Sequence, residues 1–419
     1  MPLSYSSLLK SKTAFRKRAF LGLTLLGLFP TIWIASPVIK TKLTSSVYAY
    51  PYDLSQSDRV RESLTAQITA AESRIRQNPN DGLERAFLAD AYLKMARITG
   101  ADEWYERAEA SAQKSLDNLP FNNDGALLAL AKVAEANHDF ATAARFAEQA
   151  SGGEAMALVV KSKLAIGQVP EANTAAEELV AFSPSMGSLT LRALARQARG
   201  DLAGALSDFQ QAIAVEQPSE VRGSALARTL LGKFYAEQGQ DKLAESLYRE
   251  ALKIQPNYPQ TLLNFGELRQ QQRRYRSAEK FYNQVDDPLA LLGLAKIKRL
   301  QGQEKAARIQ WAAAETILRE KVAANPLDHR RELAVLLLER GDEVDRNEAI
   351  ALMEAEVKNR RNAETLRTLA WALSEVGRKQ EAQAAIEEAI LQNPQSWRTR
   401  ESGRDFSREI LDRRDLTQR

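Results

Sequence analysis

The feature that constrains this chain most is a spacing of small residues. Gly232, Ala244, Ala251 and Pro256 stand 12, 7 and 5 residues apart, and Ala370, Ala382, Ala389 and Pro394 repeat those offsets unchanged. Val160, Ala172, Leu179 and Pro184 keep them with bulkier aliphatics at two places. Two helices joined by a short turn approach closely only where a small side chain lies at the crossing. A proline after the second helix stops it, because proline has no amide hydrogen to donate. Helical hairpins of this kind cannot bury their apolar faces alone; they do so by stacking in series. The pattern therefore excludes a single compact core, and the length of 419 residues does not count domains.

The stretch from Ala225 to Tyr258 shows one hairpin in full. Leu231, Tyr235, Leu243, Leu247 and Leu252 recur at helical intervals on either side of Gly239. The spacing predicts that Gly232 faces Ala244 and that Tyr235 and Tyr248 fill the wider gaps. Ala251 meets the next hairpin, Gly239 makes the turn and Pro256 ends the unit. These residues resemble the tetratricopeptide repeat, a helix-turn-helix unit of about 34 residues. Carrying the frame along the chain places Gly167, Gly200, Gly302, Gly341 and Gly377 at turns, seven residues after the first small residue. Ala131, Ala143 and Ala150 form a copy with His138 at its turn. Gly266, Ala278 and Val285 form a shorter one, closed by Pro288, with Arg273 in the turn position. Ala193, Ala205 and Ala212, and Ala295, Ala307 and Ala314, complete the set. Two copies carry extra residues, around 98–104 and 342–346, which are expected to lengthen surface loops at little cost.

The resemblance implies an all-α fold, a right-handed superhelical solenoid of about nine repeats preceded by an N-terminal hydrophobic helix. The repeats are expected near 82–120, 124–152, 153–185, 186–218, 225–258, 259–287, 288–326, 327–362 and 363–396. A capping helix or half-repeat over 57–80 presents Leu64, Ile68, Ala71 and Ile75. Residues 397–419, with Phe406, Ile410 and Leu411, form a C-terminal capping helix or basic tail.

The front of the chain reads differently. Residues 19–39 are uncharged and follow Lys10, Lys12, Arg16, Lys17 and Arg18, with only Lys40 and Lys42 just beyond. A run of 21 such residues is long enough to cross a bilayer. The heavier positive flank predicts a cytoplasmic N-terminus over 1–18, a membrane anchor at 19–39, a linker over 40–56 and extracytoplasmic repeats. The alternative is a secreted protein released by signal cleavage near Ala49. The absence of cysteine excludes disulfides, thiolate nucleophiles and cysteine-bound zinc.

No residue constellation points to catalysis. The only histidines are His138, in a turn, and His329, near the start of a first helix. Neighbouring acids such as Glu177 and Glu178, or Glu387 and Glu388, point in different directions on a helix and suit a solvated face. We expect no enzyme, no cofactor and no metal. A formal net charge of +4 gives no case for nucleic acid.

In tetratricopeptide proteins the groove is lined by the first helix of each hairpin. On that face this chain presents Lys233, Lys296, Arg299, Arg331, Arg367 and Trp371, which suits an acidic or aromatic peptide segment. A clamp for a terminal carboxylate would need asparagine where Lys233 stands, so that mode is not expected. Two functions follow as expectations. One is a membrane-tethered scaffold that assembles protein complexes outside the cytoplasm. The other is an accessory subunit of polysaccharide export or envelope biosynthesis, with Trp104, Trp311 and Trp371 stacking on glycan.

Overall fold

The computed structural model describes residues 56–217 and 220–393. The chain divides into two units, Met1–Ala49 and Tyr50–Arg419, and every described residue belongs to the second. The expectations placed on 1–18, 19–39 and 40–55, and on Phe406, Ile410 and Leu411, lie outside the described residues.

The described residues form helices and no strand. The lone helix α1 (Gln56–Gln77) leads into α2 (Gly82–Thr99) and α3 (Glu103–Asn118), then α4 (Asp124–Ala136) and α5 (Phe140–Ala147). Next come α6 (Gly153–Ala165) with α7 (Val169–Phe182), α8 (Met186–Ala198) with α9 (Leu202–Ala214), and α10 (Val221–Glu237) with α11 (Asp241–Ile254). They are followed by α12 (Pro259–Gln271) and α13 (Tyr275–Tyr282), then α14 (Pro288–Leu300) and α15 (Glu304–Ala324). The last are α16 (Arg330–Arg340) with α17 (Glu343–Glu356), and α18 (Ala363–Glu375) with α19 (Lys379–Gln392). Each first helix packs on its own second helix and on the next first helix, so the chain is an all-α repeat solenoid. Leu64, Ile68 and Ala71 of α1 are buried against α2, where an unpaired hairpin face would otherwise meet water.

The punctuation follows from backbone chemistry. A residue before proline is pushed out of the helical region by the ring's Cδ. Leu119, Ser183, Gln255, Asn325 and Asn393 each precede a proline, and each ends a second helix in an extended or near-extended conformation. Turn glycines take the left-handed conformation, Gly239 at φ 71° for example. At the two turns where glycine is replaced, His138 (φ 60°) and Arg273 (φ 58°) adopt the same left-handed conformation. A side chain there costs about 1–2 kcal/mol, so tertiary contacts must hold these turns in shape.

Gly232 departs in detail from the sequence expectation. Its nearest neighbour is the ring of Tyr248, not Ala244: a Cβ at Gly232 would meet Tyr248 Cε1 at 2.5 Å. Gly266 and Gly293 together admit the ring of Tyr282 in the same way. The glycine thus makes room for an aromatic ring from the second helix, while Ala244 is buried elsewhere in the seam.

The extra residues of two repeats are also placed differently from the expectation. Instead of lengthening loops they extend helices: α2 runs to Thr99, and α17 begins at Glu343, directly after Gly341 and Asp342. A helix satisfies its own backbone hydrogen bonds, so added residues can prolong it rather than form a loop, even with Ile98, Thr99 and Val344 among them.

Within the unit the later repeats return to touch the earlier ones. Asn325 Nδ2 donates to the carbonyl of Asn137 at 2.9 Å, Asn359 Nδ2 to that of His138 at 2.9 Å, and Asn362 Nδ2 to that of Ala165 at 2.9 Å. The carbonyls left open at the ends of α4 and α6 are therefore capped by side chains from the α15–α16 and α17–α18 connections.

Candidate functional site

Two features emerge once the solenoid is built, an inner wall of paired charges and the junction where early and late repeats meet. The inner wall follows from helix geometry. The residue after each first small residue turns about 100° away from the hairpin seam and lands on the inner face. There the basic side chains meet acids from neighbouring first helices. Lys132 pairs with Glu154 of α6 at 2.7 Å and Asp90 of α2 at 3.5 Å, and Lys161 with Glu135 of α4 at 2.5 Å. Lys296 pairs with Glu339 of α16 at 3.3 Å, and Arg331 with Glu364 of α18 at 3.1 Å.

The predicted groove residues divide accordingly. Lys233, Arg331 and Arg367 converge on Glu364, whose carboxyl is lowered to about 2 by Arg331 first, against burial, and then by Lys233 and Arg367. Burial opposes the charge of Lys233, but Glu364, Glu237 and Glu267 outweigh it and raise its pKa. Lys233 lies on α10 and Glu364 on α18, so the channel is narrow enough for opposite walls to interact. Both side chains nevertheless keep about half their surface open, 49% and 54%. Glu237, deeper in the wall, is raised by burial first, with Lys233 pulling it down and Glu267 and Glu364 pushing it up.

Lys296 and Arg299 form a separate group on α14. Arg299 donates to the carbonyl of Glu339 and lies 5.3 Å from the centre of the Trp311 ring. Trp371 is not on the contact surface: it is 5% exposed in the core, its Nε1 donating to Glu375 at 3.2 Å. Trp311 is wholly buried, and Trp104 is partly buried beneath Arg107. Sequence reasoning named the basic residues but not Glu237, Glu339 and Glu364 beside them. Glu237 and Glu339 stand five residues after Gly232 and Ala334, a signal available in the sequence.

The second feature joins the two histidines. His138 Nε2 lies 3.4 Å from Asp328 Oδ1, His329 Nδ1 contacts the same oxygen, and the imidazole centres are 6.2 Å apart. Arg360 Nη1 lies 3.4 Å from His138 Nδ1 and also reaches Glu356. His329, like His138, has left-handed backbone, at φ 54°. Asp328 is held below its ordinary value despite burial, by His329, His138 and Lys321. Nothing in the sequence marks this junction, because it depends on the curvature summed over the intervening repeats.

With this geometry described, comparison with known proteins places the repeats. Residues 225–258 and 363–396 match the family model described as Tetratricopeptide repeat. They coincide with the α10–α11 and α18–α19 hairpins, so the chain carries tetratricopeptide repeats. Over 22% of its length the chain is 30% identical to the Photosystem I assembly protein Ycf3 of Synechococcus sp. (strain CC9605). The match spans 57% of that relative's length. Among solved structures, YrrB, described as a TPR protein with an unusual peptide-binding site, is similar at 18% identity and TM-score 0.34, over 46% of this chain and 96% of that one. The Cut9–Hcn1 hetero-tetramer of the APC/C is similar at 14% identity and TM-score 0.41, over 72% of this chain and 55% of that one. A tetratricopeptide repeat protein from Parabacteroides merdae ATCC 43184 reaches 16% identity and TM-score 0.41, over 54% and 92% respectively. These likenesses carry no argument about what this chain binds. Among the described residues no helix is long and apolar enough to cross a membrane, and no cluster of three or more metal-ligating side chains is present.

Proposed function

We propose that the protein is a non-enzymatic scaffold that holds extended segments of partner proteins along its inner wall and so promotes assembly of a complex. The carrying observation is the ladder of charge pairs between successive first helices, densest around Glu364, Arg331, Lys233 and Arg367. At Lys233 and Glu364, the half-exposed members of the ladder, an ion pair is worth little on its own, so a partner's charges can replace it at small cost. A partner segment rich in acids engages Lys233, Lys296, Arg299, Arg331 and Arg367, while Glu364, half exposed, receives its basic residues. The assembly role in the name of Ycf3 agrees with this reading.

We propose further that residues 19–39 tether the chain to a membrane and hold the repeats on the extracytoplasmic side. The support is the 21-residue uncharged run and its one-sided positive flank. Glycan binding is less well supported, since two of the three tryptophans on which it depended are in the core.

The test is affinity capture from solubilised membranes with the wild type and with Arg331→Glu, Arg367→Glu together. The double variant is expected to lose partners that the wild type retains. Capture of the same set by both would refute the inner-wall site. External protease added to spheroplasts with a sealed cytoplasmic membrane checks the topology: digestion of the repeats is expected, and their protection would refute it.

A further inference from the structure

We infer that the junction between early and late repeats is an acid-released latch: neutral His138 holds the α4–α5 and α6–α7 turns against the α15–α16 and α17–α18 connections, and its protonation lets them part and widens the inner channel. The inference goes beyond the binding role proposed above and does not depend on it.

The geometry fixes the protonation state. Arginine offers only N–H donors, so His138 Nδ1, 3.4 Å from Arg360 Nη1, presents its lone pair. Nε2 then carries the hydrogen and points at Asp328 Oδ1. A second proton on Nδ1 would set N–H against the guanidinium. The charged groups acting on the ring come from each neighbouring element: Asp328 and His329 in the α15–α16 connection, Glu332 on α16 and Arg360 after α17. Lys321 on α15 acts on Asp328, and Arg330 and Arg360 act on Glu356. Burial lowers the His138 pKa first; Asp328 and Glu332 oppose this, and Arg360 and His329 reinforce it.

The sign follows. The closed latch has a pKa below the ordinary 6.5, so the open form binds the proton more readily. Closure is fully favoured above 6.5 and weakens as pH falls from there through the closed-state value, by at most about tenfold per pH unit.

The remainder of the junction includes Gly167 of the α6–α7 turn packed on the Arg361 carbonyl. Its three asparagine–carbonyl bonds are uncharged. Asp328 Oδ1, His329 Nδ1, Glu356 Oε2 and Arg360 Nη2 are buried there without good hydrogen-bond partners. Both histidines hold left-handed backbone that favours glycine, conformations that contacts must impose. The guanidinium at Nδ1 also disfavours a bound cation, in keeping with the absence of a metal-ligating cluster among the described residues.

The chain has no cysteine, so a labelled pair introduces no background. Ala141→Cys on α5 and Ala324→Cys at the end of α15 place nitroxides on exposed positions across the junction of the full chain. Pulsed dipolar spectroscopy is expected to give one short distance at pH 7.5 and a growing longer population as pH falls below 6.5. His138→Asn, which is uncharged and tolerates the left-handed backbone, is expected to stay closed at pH 5. Arg360→Gln is expected to move the opening to lower pH. A wild-type distance that is unchanged or shorter at pH 5 overturns the latch. So does acid opening of His138→Asn, which would assign the transition to Asp328, whose carboxyl is depressed in the closed junction. If His138→Asn is already open at pH 7.5, the Arg360→Gln midpoint decides, and no shift overturns the inference.

Discussion

Replacing Gly232 by alanine adds one methyl group to a helix and should destabilise the protein, against the usual preference for alanine. In a helix interior the change gains up to about 1 kcal/mol of propensity. Here the new Cβ would lie 2.5 and 2.8 Å from Tyr248 Cε1 and Cδ1. Ordinary carbon contacts begin near about 3.5 Å, so the ring must retreat by roughly 1 Å. Tyr248 is 1% exposed and has nowhere to retreat. Overpacking of this kind costs about 1–3 kcal/mol. The control is Gly187→Ala in α8, where the nearest atom to a Cβ is Ser185 Oγ at 3.9 Å. Gly187 lies in the first turn of α8, where alanine gains less than in a helix interior, so the difference between the two variants is a lower bound on the clash of about 1–3 kcal/mol. Guanidinium unfolding measures the difference, and hydrogen exchange should localise the lost protection to α10 and α11, as expected when stability is a sum over neighbouring repeats. Adding Tyr248→Leu to Gly232→Ala should recover part of the loss. If Gly232→Ala is as stable as Gly187→Ala, the claim that glycine is there to admit the ring is wrong.

Other perturbations follow from the same geometry. Trp311→Ala, at a wholly buried position against Arg299, should cost about 3–5 kcal/mol in thermal or denaturant unfolding. Asp208 is fully buried and gripped by Arg192 at 2.7 Å and Arg196 at 3.0 Å. Asp208→Ala should therefore cost about 1.5–3 kcal/mol, with Glu177 still holding both guanidiniums, seen as a lower denaturant midpoint. The carboxyl of Glu364 is depressed, so its contribution is present above the ordinary 4.5 and disappears as pH falls toward about 2. The wild type should accordingly exceed Glu364→Gln in urea midpoint at pH 7, with the gap narrowing below pH 4.5. A gap that widened there would contradict the assignment.

What the sequence made legible was local. Gly232, Ala244 and Ala251 announce a hairpin because a close crossing needs small residues at fixed helical intervals, and the prolines announce its end because they forbid the next helical residue. The turn position was readable even where glycine is absent, at His138 and Arg273, because the frame fixed it; their left-handed backbone was not. The partner of Gly232 was misjudged, since spacing shows that room is needed but not which neighbour fills it. The residues at 342–346 were expected as loop because an insertion leaves open whether added backbone is satisfied by water or by a longer helix. On the inner wall the lysines and arginines were visible, but the pairs they make with Glu154, Glu339 and Glu364 join different repeats. Trp371 looked like groove and proved to be core because the pattern gives position along the helix and not depth. The junction of His138, Asp328 and Arg360 was beyond reach for the same reason, taken further: it depends on small rotations accumulated from one repeat to the next.

The central claim is that partners are held on the inner wall formed by the first helices. Site-specific photocrosslinking in intact cells tests it directly, with the reactive group placed in turn at Lys233, at Arg367 and at Ile309 on the outward-facing second helix α15, an exposed position. The account predicts a partner protein crosslinked from Lys233 and Arg367 and none from Ile309. Crosslinks from Ile309 with none from the two inner positions would contradict it.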